Sequence, residues 1–118
     1  MIGKARTTED RLRAVARGNL EIGDIGPDLQ NGSVSGCGLD KQSCQLAQIA
    51  ALAAIDAPHA SWLRHLEAAD EQEIELEKIL GTLLCVAPVV GSAKIVSACA
   101  KIVRAAALGE EFGVLAEG

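Results

Sequence analysis

Tyrosine is absent from this 118-residue chain, and Trp62 and Phe112 are its single tryptophan and single phenylalanine. Aromatic rings therefore contribute almost nothing to a core, and twenty alanines stand in their place. Alanine lets helices approach closely, but each side chain withdraws little surface from water at ~25 cal/mol per Å². A chain of this length is expected to form one domain that buries roughly two-thirds of its unfolded surface. With so lean a core, burial between subunits is expected to supplement it.

Basic residues are also in deficit, with a net charge of -5 and a pI near 4.9. A nucleic-acid footprint needs a basic stripe that neutralises phosphates, so nucleic acid is not an expected partner. The charge is uneven along the chain: Lys4, Arg6, Arg11, Arg13 and Arg17 open it, whereas Glu67, Asp70, Glu71, Glu73, Glu75 and Glu77 crowd its middle. No uninterrupted apolar run approaches a membrane span, and no apolar segment follows the first basic residues, so the expectation is a cytoplasmic protein without membrane contact. Cys37, Cys44, Cys85 and Cys99 lack CxxC or metal-ligand spacing and read as small hydrophobes or free thiols. The acidic run lacks a calcium-loop pattern and suits a solvated helix start. No metal and no cofactor are expected.

What is present is helical periodicity. Thr7-Thr8-Glu9-Asp10 has the form of a capped start, followed by a short apolar stripe that ends at Gly18. Residues 19–38 hold glycines, Pro27, Asn31 and serines and predict an irregular crossing, with Ile22, Ile25 and Leu29 available to pin it to the core. Asp40-Lys41 opens a second helix carrying Leu46, Ile49, Leu52, Ala53 and Ile55. Pro58 then starts a third, extending to Ala69. A fourth spans Glu73 to Ala87, with Leu76, Ile79, Leu80, Leu83, Leu84 and Ala87 at helical spacing and a break at Pro88-Val89-Val90-Gly91. Ser92 is read as the cap of the last helix. Ile95, Ala98, Cys99, Ile102, Val103 and Ala106 would face the core, Lys94, Lys101 and Arg104 would face water, and Gly109 would end the helix. The fold class is all-α: a compact multi-helix bundle, with a short helix and irregular segment over 1–38 and a helical core over 39–109.

Within the third helix, Ser61 and His65 are i and i+4 partners, and Pro58, Trp62 and Ala69 share their side. That side should pack while Arg64, Glu67 and Asp70 meet water. A histidine so placed can move protons near neutral pH, with Ser61 as a hydrogen-bonding neighbour and Trp62 as a wall. A core histidine satisfied by a hydroxyl or carbonyl is the structural alternative. His59 lies on another side of the helix and cannot join His65 as an i, i+4 metal ligand. Gly32-Ser33-Val34-Ser35-Gly36 has valine where a nucleophile elbow needs serine. Gly91-Ser92-Ala93-Lys94 offers a helix start and a cation able to meet a carboxylate.

Thr8-Glu9-Asp10-Arg11-Leu12-Arg13, Ser35-Gly36-Cys37-Gly38-Leu39-Asp40, the His65 helix, Pro88-Val89-Val90-Gly91 and Leu108-Gly109 together resemble the carboxymuconolactone decarboxylase superfamily, which includes the AhpD-like peroxidases. The resemblance covers nearly all of residues 1–118 as a single domain. It implies an AhpD-like helical fold and a homo-oligomer, a trimer or hexamer. AhpD-like members use a CxxC pair followed four residues later by histidine. His65 matches that histidine, but Pro58 and Ser61 occupy the cysteine positions, so the disulfide cycle has no sulfur to run on. The decarboxylase branch, acting on a small lactone or carboxylate without a cysteine pair, is the nearer analogy. It implies catalysis by His65 with Ser61, and substrate contacts from Trp62 and Lys94. A non-catalytic helical oligomer that binds a small molecule or a protein is the rival expectation, with a thiol peroxidase behind both.

Overall fold

The computed structural model describes residues 7–19 and 37–112. The irregular crossing expected over 19–38, its apolar pins and the Gly32–Gly36 segment fall almost wholly outside them. The chain divides into two compact units, 1–39 and 40–118, and every described element is α-helical.

In the first unit, α1 spans Thr8–Ala16. Thr7 Oγ1 accepts from the Asp10 N–H at 3.0 Å, and the Asp10 carboxylate accepts from the Thr7 N–H at 3.4 Å. This reciprocal capping satisfies two N–H groups that a helix start leaves without partners. Gly18, at a φ of 87°, closes the other end in the left-handed conformation glycine tolerates best.

The second unit holds α2 (Lys41–Ala54), α3 (His59–Glu71), α4 (Leu76–Val90) and α5 (Ser92–Phe112). Helices α2 and α5 touch each other and both remaining helices, whereas α3 and α4 do not touch. The bundle therefore has a central pair, with α3 and α4 on opposite flanks. Ile49 of α2, Trp62 and Leu66 of α3, and Ile79 and Leu83 of α4 are its largest fully buried side chains. Ile95, Ala98 and Ala105 of α5 complete the core. The alanines of α5 let the flanking helices close on it, and the one tryptophan fills the space they leave.

Helix ends depart from the sequence reading in instructive ways. Helix α2 ends with Asp56 at a φ of 51° and α3 with Glu73 at a φ of 60°. At each, two N–H groups reach back to the last turn: Ala57 to Leu52 and Asp56 to Ala53, then Ile74 to Ala69 and Glu73 to Asp70. These bonds form the Schellman closure, and the burial of Ala57 and Ile74 supplies its apolar contact. Glycine usually marks such an ending; here it is hidden behind acidic residues, so α3 runs two residues past Ala69. Pro88 does not break α4. It sits in the last turn, where its fixed φ suits a helix and its ring removes a single hydrogen bond. Gly91 ends the helix instead, at a φ of 98°. Ser92 is the first residue of α5 rather than its cap, and the helix continues through Gly109.

Candidate functional site

His65 lies half-buried on α3 between Trp62 and Ala69, both buried, while Arg64, Glu67 and Asp70 are exposed. The expected division of this helix into packed and solvated sides is thus present. The expected hydrogen bond to Ser61 is not. The imidazole Nδ1 instead meets Gln45 Nε2 of α2 at 3.0 Å, and Gln45 Oε1 accepts from Gln72 Nε2 at 3.4 Å. The Gln45 amide carries both a donor and an acceptor, so it can pair with Nδ1 in either neutral tautomer of the ring. Burial, reinforced by the neighbouring Arg64 guanidinium, holds the imidazole pKa below its ordinary value of 6.5. At neutral pH the ring is a neutral, oriented hydrogen-bond partner that ties α3 to α2.

Gln45 is the residue that sequence reasoning missed. It is buried, and it precedes Ile49 and Leu52 at the spacing of α2's core stripe. A polar side chain on an otherwise apolar stripe requires a partner, and that was the available signal.

Lys94 does not converge on His65. Its ammonium donates to the Ala54 carbonyl at 2.9 Å, at the C-terminal end of α2. Gln45, which marks where His65 sits on α2, lies about 13 Å away along that helix at ~1.5 Å rise per residue. Lys94 remains exposed, as expected, whereas Lys101 is partly buried and donates to the Asp56 carboxylate at 2.9 Å and the Ala57 carbonyl at 2.8 Å. The Ser97 hydroxyl donates to Asp56 Oδ1 at 2.7 Å. Hydrogen bonding by Lys101 and Ser97 lowers the Asp56 pKa. The two lysines occupy the negative end of the α2 dipole, where cations stabilise a helix. The cation proposed for a substrate carboxylate is already engaged in closing α2.

Trp62 is fully enclosed, at 0% exposure, and belongs to the core rather than to the wall of an open site. Ser61 is partly buried. The cysteines are unbridged: Cys44 is buried, Cys37 and Cys85 are exposed, and Cys99 is intermediate. Among the described residues no group of three histidine, cysteine or acidic side chains is placed to hold a metal ion. None of the helices among them is long and apolar enough to cross a membrane.

The concave surfaces lie elsewhere. A groove of about 400 Å³ runs between α4 and α5, lined by Leu76, Ile79, Leu80, Leu83, Cys99, Ile102 and Val103 with Glu77 at its edge. A second, of about 490 Å³, lies between α2 and α4 and includes Leu46, Ala50, Gly81 and Cys85. Neither is lined by His65, Ser61, Trp62 or Lys94. Val103, expected to face the core, is instead 67% exposed and lines the first groove with Leu80, itself 48% exposed, while Leu84 of α4 is 59% exposed. From Ile79 to Ala93 no residue carries a charge. A helix apolar on nearly every side is ordinarily enclosed on every side, and α4 here is enclosed on one. In comparisons with protein-family models, curated proteins and solved structures, none matches this chain.

Proposed function

We propose that the chain is a helical association module, not catalytic at His65, and that the apolar face shared by α4 and α5 is its working surface. The observation that carries this reading is an apolar groove lined by the exposed Leu80 and Val103, on two helices that also expose Leu84 and Val96. Soluble monomers rarely leave contiguous apolar patches larger than a few hundred Å² without a function for them. The groove is within the ~300–1,000 Å³ typical of small-molecule sites, and its lining suits an apolar ligand or the apolar side of a helix. The sequence resemblance to the carboxymuconolactone decarboxylase superfamily extends this reading to a cytoplasmic homo-oligomer. Its chemistry is less well supported, since the proposed cation closes α2 and the proposed aromatic wall lies in the core.

A second reading, a cofactor-free lyase acting on a small lactone or carboxylate, is favoured by one observation: His65 is held neutral and oriented, with its Nδ1 engaged by Gln45. A neutral imidazole held in one orientation is a competent proton acceptor or donor.

The two are separated by a paired change of Leu80→Lys and Leu84→Lys, compared with His65→Ala. Sedimentation velocity and uptake of 8-anilinonaphthalene-1-sulfonate, an anionic dye that fluoresces on apolar surfaces, report on the face. The expected result is loss of self-association or dye uptake in the lysine variant with helical content retained, and no such loss in His65→Ala. Wild-type protein that neither associates nor takes up the dye overturns the module. Turnover of a small lactone carboxylate that His65→Ala abolishes installs the lyase in its place.

A further inference from the structure

The exposed side of α5 has a repeat that its fold does not use. Ala93, Val96, Ala100, Val103 and Ala107 follow one another by alternate steps of three and four residues, and all five are exposed. That spacing is the seam by which one helix packs along another. Size alternates along it in phase with the steps: alanine holds one seam position each time and valine the other. In a parallel pair like positions face each other, so alanine layers would leave gaps and valine layers would wedge the helices apart. In an antiparallel pair the two positions face one another, and every valine meets an alanine. The seam is therefore complementary to itself reversed.

We infer that the partner of this face is a second copy of the chain, docked antiparallel along α5. A two-fold axis sets Val103 of each copy opposite Ala100 of the other, and Val96 opposite Ala107. The inference rests on the reading of this face as an association surface and names its occupant. A two-fold of this kind brings groove edge to groove edge, so Leu80 and Leu84 of α4 meet their counterparts beside the seam. Leu80, Leu84, Val96 and Val103, exposed by 48%, 59%, 69% and 67%, are the apolar surface such a pairing covers, towards the roughly 800 Å² per partner of a standard interface. The polar side of α5 is left undisturbed, because Lys94, Ser97 and Lys101 are directed at the end of α2.

Sedimentation equilibrium over the micromolar range tests the pairing. Wild-type protein is expected to be a dimer, and Val103→Lys to raise its dissociation constant more than tenfold with helicity unchanged, since the side chain is exposed in the single chain. Orientation is read by Val96→Lys and Ala107→Glu. Each alone weakens the dimer about tenfold, and the two combined in one chain recover most of the loss. Antiparallel pairing sets the introduced ammonium opposite the introduced carboxylate, whereas parallel pairing sets like charges together. A combined variant weaker than either single one, an indifferent Val103→Lys, or a wild-type monomer overturns the inference. If Leu80→Lys with Leu84→Lys abolishes association that the α5 variants leave intact, this pairing is wrong and the module reading stands. A monomer that still takes up the dye has the same meaning.

Discussion

Towards α2, helix α5 sends Lys94, Ser97 and Lys101 onto the Ala54–Ala57 segment, whereas towards α4 it offers Cys99, Ile102 and Val103. No side-chain hydrogen bond joins α4 to α5 among the described residues; the one such bond on α4, from Thr82 to the Lys78 carbonyl, stays within that helix. The first contact is directional: three donors meet the terminus of one helix and fix the rotation of α5 about its axis. The second is non-directional, and its strength scales with area removed from water. Fixing α5 by its polar side decides which apolar residues remain outside. Val96 and Val103 are exposed because the rotation that serves Asp56 turns them away from the core.

The largest way to break this comparison is to remove the core that both contacts share. Trp62→Ala is expected to cost about 3–5 kcal/mol, a large fraction of the stability of a small domain. Val103→Ala, on the exposed seam, should stay within about 0.5 kcal/mol for the single chain. Urea unfolding of both variants at a protein concentration below the association range checks the contrast. Comparable losses would mean that the seam is packed within one chain.

A smaller effect sharpens the polar side. Asp56 and Glu73 are left-handed at equivalent positions after α2 and α3, yet only Asp56 is held by a lysine and a serine. Glu73→Gly should therefore raise stability by about 0.5–1 kcal/mol through relief of the backbone alone. Asp56→Gly should lower it, because the same relief is outweighed by loss of the acceptor for Ser97 and Lys101. Thermal unfolding of the pair decides; equal gains would show that the Asp56 bonds contribute nothing.

The smallest effects are those of pH. The Asp56 carboxyl is held below its ordinary 3.8, so its contribution is complete above that value and is lost as pH falls through the lower folded pKa. The difference in stability between the wild type and Asp56→Asn should accordingly vanish in strong acid. His65 is shifted below 6.5, and for a base that sign means the unfolded chain takes up the proton first. Its contribution is complete above about 6.5 and declines as pH falls through the folded value. Arg64→Gln removes the secondary cause and should move the imidazole titration, followed by NMR, slightly upward. An unchanged or lower value would remove Arg64 from the account.

Much of the fold was legible because helical order is local. Thr7, Asp40 and the apolar periods of residues 41–107 identify each helix with no knowledge of its neighbours, and the packed side of α3 followed from the 3.6-residue repeat around Trp62 and Ala69. The candidate site was less legible. His65 could be singled out by its position, but its partner Gln45 comes from another helix, and no local rule connects the two. Lys94 and Lys101 were placed on the water side by the helical repeat of α5, and their acceptors, at the far end of α2, are invisible to that repeat.

The sequence by itself determined the helical character, the number and the approximate limits of the elements among the described residues, because each of these depends on residues within a turn or two of one another. Only the tertiary structure decided which side of a widely apolar helix is covered. Helices α4 and α5 are apolar on more of their surface than one bundle can enclose, so periodicity admits several rotations of comparable burial. The choice among them was made by three polar side chains that reach a helix terminus some forty residues earlier in the chain, a constraint that exists only once the helices are packed.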